Sequence, residues 1–392
     1  MLTGRDFVVL SDDWNGLPTS AIHLFRRLAG RNRVFWFNTI GRFPRLTRGD
    51  AGKVLRTLGS WVCNINYGKS SETPQDDHVH VLSPVMVPWF KTWGRRFNCR
   101  SQLRVYRQLC DRYEITTPIV LTTFPYAADF VKAVPAAAKV YYCVDDFLDY
   151  PGVNHADWAR MEAELLAAVD FLIVTSRRLA KKRSNGCPVL HLPHGVDFDH
   201  FSQAPVRARP VPALEMLPRP IIGFFGLISP WFDQKLVAHL SEAFPGVSFV
   251  LIGQADVDLG PLACQPNVHC IGFVPYAELP AYARYFDVGL IPYRRQKFTR
   301  AINPLKLLEY FALGLPVLAT RLPELEAMPG PLYLARTRED FVESLRLILA
   351  GRATGRVEEA RECARQNTWE VRVEQLSVFI EQVAREEQAC AR

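Results

Sequence analysis

The chain has 392 residues, 48% of them apolar, with 47 Lys plus Arg against 40 Asp plus Glu. That balance excludes a disordered or collagen-like polymer and, at roughly 150 residues per domain, points to two domains. The net charge of +7 is unevenly placed: residues 1–110 hold 17 basic and 7 acidic side chains, a net of +10, and the rest carries −3.

In the first half, strands are predicted at Phe7–Ser11, Val34–Phe37, Val79–Leu82, Ile119–Thr122, Val140–Cys143, Phe171–Thr175 and Val189–Leu192. Short runs rich in Val, Ile and Phe alternate there with helical patterns, the mark of parallel βα units. The first domain is expected to span residues 1–205. The proline-dense run from Gln203 to Pro220 sustains neither element and reads as a linker at 206–220. A second strand series follows at Ile221–Phe225, Ser248–Ile252, Val268–Ile271, Val288–Ile291, Val317–Ala319 and Leu332–Leu334, giving a second domain over 221–368. From Arg338 the pattern is helical. It ends in Trp369 to Arg385, where Val371, Val373, Leu376, Phe379, Ile380 and Val383 form an apolar stripe. The class is α/β, two doubly wound domains in tandem, with ligands expected in a cleft at the carboxyl ends of the strands.

Nine cysteines occur at irregular spacing with no C-x-x-C pair, which fits a reducing compartment. No His, Cys and carboxylate group has metal-site spacing, so neither a metal nor a resident cofactor is expected. The start MLTGRDFVVLSDDW lacks the form of a signal peptide, and no run approaches the ~20 apolar residues of a membrane span. The expected location is cytoplasmic, free or on the inner face of a membrane.

The segment from Arg294 to Thr320 carries the clearest chemistry. Asn303 as N-cap, Pro304 at the first helical position and Gly314 before Pro316 predict a helix over 304–313. Lys306 then falls in the first turn, where a cation opposes the helix dipole unless an anion binds. Free backbone N–H groups with Lys306, Arg300 and Lys297 could hold a pyrophosphate there. Glu309, one turn on and on the same face, could accept hydrogen bonds from a ribose diol; the alternative is a solvated i, i+3 ion pair. At the end of another strand stand Asp145 and Asp146, each able to act as general base or simply to cap the following turn.

These residues carry a resemblance. N-P-L-K-L-L-E-Y-F-A-L-G-L-P-V-L-A-T, residues 303–320, resembles the donor-nucleotide segment of GT-B glycosyltransferases. H-L-P-H-G-V-D-F-D-H-F (191–201) is similar to the segment that closes the N-terminal domain in that superfamily. I-G-F-F-G-L-I-S-P-W-F-D (221–233) resembles the first strand and glycine turn of its donor domain, and Gly272-Phe273 and Trp369-Glu370 also agree in order. The likeness covers most of the chain after about residue 118. It implies two Rossmann-like domains facing across a cleft, with a C-terminal helix, 369–392, crossing back onto the first domain. It also implies transfer of a sugar from a nucleotide-diphosphate donor, which is a co-substrate. Lys306, Arg300 and Asn303, with Gly226 and Ser229 in the first donor-domain turn, would hold the diphosphate, and Glu309 the ribose. Asp13, Asn15 and Gly16, after the first strand, would line the acceptor side. Many retaining members carry a glutamate where this chain has Ala301.

The run V-Y-Y-C-V-D-D-F-L (140–148) is similar to the strand-end aspartate region of inverting, membrane-associated glucuronosyltransferases of xanthan-type polysaccharide synthesis. That likeness implies Asp146 as base, with Asp145 second, and inversion at the sugar. Asp256-Val257-Asp258 spells a metal-nucleotide motif of a different fold and reads as chance.

The basic front includes Arg26, Arg27, Arg31, Arg33, Arg42, Arg45 and Arg48, then Lys91, Arg95, Arg96, Arg100, Arg104 and Arg107. Trp89, Phe90 and Trp93 stand among the second group, and with Lys91, Arg95 and Arg96 they are expected to rest on anionic lipid. The alternative is a solvated basic face over core tryptophans. Single-stranded nucleic acid would accept the same residue types, but the resemblance favours a saccharide or polyprenyl-diphosphate-linked acceptor in exopolysaccharide or envelope-polymer synthesis. Rival functions are a nucleotide-sugar 2-epimerase of the same fold and a non-catalytic, membrane-docked subunit of a polysaccharide-assembly complex.

Overall fold

The computed structural model describes residues 2–40, 78–150, 153–184, 186–203, 211–352 and 356–390. Arg42, Arg45 and Arg48 of the basic front, and residues 204–210 at the end of the expected first domain and the start of the expected linker, lie outside the described residues. The chain divides into two compact units: Met1–Leu192 with Val373–Arg392, and Pro193–Arg372.

The first unit is built on seven parallel strands: β1 (Asp6–Ser11), β2 (Arg33–Asn38), β3 (Val79–Leu82), β4 (Ile119–Thr122), β5 (Ala138–Cys143), β6 (Phe171–Val174) and β7 (Val189–His191). Their order is β3-β2-β1-β4-β5-β6-β7. Strands β4 and β6 are buried at every position, as in a parallel sheet covered on both faces, whereas edge strand β3 is half-buried throughout. Val8 registers against Phe35 on one side and Val120 on the other, so the strand order reverses at β1 and β4. At the carboxyl ends of those two strands, the hydroxyls of Ser11 and Thr123 hydrogen-bond at 2.9 Å. The helix Trp369–Cys390 joins this unit from Val373 onward, burying Leu376 and Ile380 and setting the Phe379 ring edge-on to Phe171 at 5.3 Å. That contact explains the apolar stripe in its sequence.

The second unit has six parallel strands: β8 (Ile221–Phe225), β9 (Ser248–Ile252), β10 (Val268–Gly272), β11 (Val288–Ile291), β12 (Val317–Thr320) and β13 (Leu332–Ala335). Their order, β10-β9-β8-β11-β12-β13, repeats the doubly wound pattern with its reversal between β8 and β11. A single tyrosine fixes the helix Lys306–Leu313 on this sheet. The Tyr310 hydroxyl lies 3.3 Å from the Gly223 carbonyl and accepts the Phe225 N–H at 3.3 Å. Its ring covers Gly289, where a Cβ would approach to 2.5 Å. Only glycine lets the helix sit this close, and that closeness brings Lys306 to the end of β8.

The first boundary departs from expectation, because the second unit begins at Pro193, and the described residues 193–203 and 211–220 belong to it. Val196 donates to the Asn367 carbonyl at 3.0 Å and accepts from Trp369 at 3.2 Å. The His191–Phe201 motif therefore closes onto the start of the last helix instead of ending the first domain. Within the proline-rich run, Pro212–Glu215 is a short helix with Leu214 buried, and Tyr285 donates to Glu215 at 2.8 Å.

Candidate functional site

The helix predicted over 304–313 begins at Lys306, two residues late. Leu305 occupies the cap position in helical conformation, with no side-chain cap, so Asn303 is not the N-cap. Pro304 contributes a tighter turn, its carbonyl accepting the Leu307 N–H at 3.2 Å. Gly314 ends the helix as expected, with φ 80°. Starting late makes Lys306 the first helical residue, and its ammonium lies 5.4 Å from the Phe224 ring centre and 5.9 Å from that of Tyr293. It rests on Gly226, the residue after β8, where φ is +121° and a Cβ would stand 2.6 Å from the Lys306 Nζ. Both the backbone angle and the space call for glycine. Gly226→Ala would displace the ammonium and strain the turn, lowering affinity for a phosphorylated ligand about tenfold in a calorimetric titration.

Glu309 is 4% exposed, and burial pushes its carboxyl up to about 7 against the pull of Lys306. His194 lies nearby, half-buried, and is pushed down to about 4, first by loss of solvent and then by Arg372 and Lys306. The cradle at neutral pH thus offers the Lys306 ammonium, a neutral imidazole and a carboxyl close to its titration point. Below pH 4.5, the ordinary value for glutamate, Glu309 holds its proton folded or unfolded; from there to about 7 only the folded chain keeps it. Stability therefore falls as pH rises through this window, by as much as about 3 kcal/mol above it. Glu309→Gln removes that cost. The variant should melt several degrees higher than wild type at pH 8, by about 2–4 °C per kcal/mol, and close to wild type at pH 4. If Glu309 accepts from a ribose, it should also bind nucleotide about tenfold more weakly. Equal melting at pH 8 would contradict the buried carboxyl.

Other expected donor residues are placed differently. Ser229 is fully buried and donates to Asp256 at 3.2 Å, bracing the turn after β8. Arg300 is exposed on the turn Thr299–Ala301, which Thr299 stitches by donating to the Arg294 carbonyl at 2.6 Å, and Ala301 is buried. Asp258 accepts from the Gly260 N–H at 2.9 Å, so the D-x-D run serves loop structure. Among the described residues, no group of three or more His, Cys, Asp or Glu side chains could hold a metal ion.

In the first unit the two acids after β5 part company. The Asp146 side chain is fully buried; it accepts from Lys182 at 2.7 Å and from Arg183 at 2.8 Å. Arg183, 2% exposed, also donates to Glu162 at 2.6 Å, and Tyr141 donates to the same carboxylate at 3.0 Å. Burial alone would raise the Asp146 carboxyl, but the charges and hydrogen bonds of Arg183 and Lys182 outweigh it and hold the group below the usual carboxylate range. Such an acid is a weak proton acceptor, and both its oxygens are engaged. Asp145 is half-exposed on a fixed backbone: its carbonyl accepts from the Phe147 N–H at 3.0 Å, and the Val144 carbonyl accepts from the Thr175 hydroxyl at 2.7 Å. The neighbouring Cys143 thiol is pushed up to about 12 by burial, which leaves it no nucleophile. After β1, Asp13 accepts from the Asn15 N–H at 3.2 Å and Gly16 closes on the Asp13 carbonyl at 2.9 Å, so the three expected acceptor-side residues form one exposed turn.

Of the membrane candidates, Trp89 and Trp93 are exposed and stack at 6.1 Å, with Lys91 5.9 Å from the Trp89 ring centre. Phe90 instead stacks on Tyr126 at 4.8 Å, half-buried. Arg95 corrects the expectation more fully: it turns inward to Asp129 at 2.7 Å and to Glu164. Phe97, at the end of the same aromatic and basic stretch, and Arg100 of the basic front are exposed as well. Sequence reasoning gave no role to His194, although the H-G-V-D motif contains it, and Phe273 of the Gly272-Phe273 pair stands 58% exposed after β10.

Comparison with known proteins agrees with this geometry. Residues 219–351 match the family model described as Glycosyl transferases group 1, so the second unit carries such a domain. A Bacillus subtilis protein, TuaH, named as a teichuronic acid biosynthesis glycosyltransferase, is 32% identical over 163 residues, spanning 40% of each chain. Sucrose-phosphate synthase of Thermosynechococcus elongatus has TM-score 0.68 at 16% identity, over 97% of this chain and 99% of its own. HepE of Anabaena, solved with UDP and glucose, has TM-score 0.65 at 15% identity, over 96% and 100%. At these identities the solved structures establish the fold, which is GT-B.

Proposed function

We propose that this protein is a glycosyltransferase that moves a sugar from a nucleoside-diphosphate donor to a saccharide acceptor in cell-envelope or exopolysaccharide synthesis. The observation that carries the reading is the Lys306 ammonium seated on the Gly226 turn where strand order reverses, with Glu309 one helical turn further on. Glycine backbone, a cation and a helix start at such a point suit a diphosphate. Lys306 would neutralise the leaving diphosphate, helped by Arg300 should its turn swing toward the ligand, and Glu309 would accept from the ribose. No metal is required in this scheme. The names of TuaH and HepE, which speak of teichuronic acid and UDP with glucose, favour the same class.

Asp145, the half-exposed acid, would take the proton of the acceptor hydroxyl, while Asp146 anchors the loop to Arg183 and Lys182. As that O–H bond breaks, the oxygen attacks the anomeric carbon, the bond to the diphosphate breaks, and the configuration inverts. The acceptor would be linked to a polyprenyl diphosphate and presented at the inner face of the membrane, where Trp89, Lys91, Trp93 and Arg96 meet anionic lipid. Among the described residues no helix is long and apolar enough to cross a membrane.

Incubating the protein with a panel of nucleotide sugars, with and without lipid-linked acceptors, tests the reading. Release of nucleoside diphosphate and a product of inverted configuration are expected. Isomerised sugar from donor alone would establish the epimerase instead.

A further inference from the structure

The helix Thr92–Tyr113 presents two kinds of side chain along one outward line. Trp93, Phe97, Arg100, Arg104 and Arg107 follow at i, i+4, i+7, i+11 and i+14, and all five are exposed. The opposite face buries Asn98, Gln102, Tyr106 and Leu109. Beside the aromatic end of that line lies a cavity of about 380 Å³ lined by Arg95, Arg96, Arg100, Asp129, Arg160 and Glu164, among others. Arg95 engages Asp129 and Glu164 from within and is only 12% exposed. Those carboxylates are therefore occupied, and Arg96, Arg100 and Arg160 supply the positive charge of the opening; Arg160 shares its own with Asp157 at 3.2 Å.

We propose that this cavity is a headgroup site that takes the phosphate of an anionic bilayer lipid while Trp93 and Phe97 enter the interface beside it. The inference rests on the membrane-facing reading of the first unit given above and adds to it a discrete site. Arginines one helical turn apart can each offer a fork of N–H donors to phosphate oxygens. The alternation Trp93, Arg96, Phe97, Arg100 then sets apolar rings next to those forks, the arrangement of residues at headgroup depth. A soluble phosphate compound would make no use of the exposed rings, which are 60% (Trp93) and 43% (Phe97) accessible.

The test uses the full chain and phosphatidylcholine vesicles with and without phosphatidylglycerol, read by sedimentation. Wild type should bind only the anionic vesicles. Arg104→Gln with Arg107→Gln removes two charges of the same helix outside the cavity and should weaken binding by about 30-fold or less, through general attraction. Arg96→Gln with Arg100→Gln should weaken it at least about tenfold more than that. Short-chain phosphatidylglycerol kept monomeric should bind wild type saturably, and inorganic phosphate should compete only weakly. Equal losses in the two double variants, or no saturable binding of the monomer, would overturn the cavity site yet leave membrane binding standing. Equally strong binding of inorganic phosphate would overturn the lipid as its ligand. A wild type that ignores anionic vesicles, or prefers a single-stranded oligonucleotide to them, would overturn the membrane reading as well.

Discussion

Asp145→Asn is expected to lower kcat by about 10²–10⁴-fold while leaving donor affinity near that of wild type, the range for removal of a positioned general base. The change keeps the size of the side chain and removes its negative charge, and with it the capacity to take a proton, at a half-exposed position where the cost to folding should be small. The basic conditions that ionise an acceptor hydroxyl should partly restore turnover. Asp146→Asn should behave otherwise. It leaves the buried Arg183 facing Glu162 alone and deprives Lys182 of a partner, a loss of about 3–5 kcal/mol for a broken buried pair. Its signature is a lower melting temperature, with kcat in the surviving folded fraction reduced less than in Asp145→Asn. The opposite result, a well-folded Asp146→Asn without turnover beside an active Asp145→Asn, would return the base to Asp146.

Lys306→Ala is expected to lower kcat/KM for the donor by about 10³-fold. The ammonium of this half-buried side chain lies on the Gly226 turn, 5.4 and 5.9 Å from two aromatic ring centres, and a leaving diphosphate gains charge as its bond to the sugar breaks. Part of the loss should appear in ground-state affinity and part in kcat, because that charge is greatest in the transition state. Lys306→Arg should recover little, since the larger planar group does not fit above Gly226. A variant with undiminished kcat/KM would separate Lys306 from the phosphates.

The strands were legible in the sequence because parallel strands buried on both faces leave continuous Val, Ile and Phe runs, and all thirteen predicted strands recur within a residue or two. The helix stop at Gly314 was legible for a similar reason: a left-handed cap needs glycine. Its start was not, since Asn303 and Pro304 have the composition of a cap without its geometry, and the choice between cap and turn depends on how Tyr310 seats the helix on β8 and β11. The unit boundary was misplaced because Val196 pairs with residues 367–369, a partner more than 170 positions away that no local pattern announces. Asp145 and Asp146 are equivalent as letters. What separates them is burial and the pairing of Asp146 with Arg183, which arrives from another helix.

Calorimetric titration of UDP, UMP and uridine into the full chain tests the central claim most directly, as the cradle of Gly226, Lys306 and Glu309 should recognise a nucleoside diphosphate. The expected result is saturable binding of UDP at least about tenfold tighter than UMP, with that preference lost in Lys306→Ala and kept in Asp145→Asn. Another nucleoside diphosphate giving the same pattern would change only the base. Equal affinity for the mono- and diphosphate, or a preference that survives in Lys306→Ala, would contradict it.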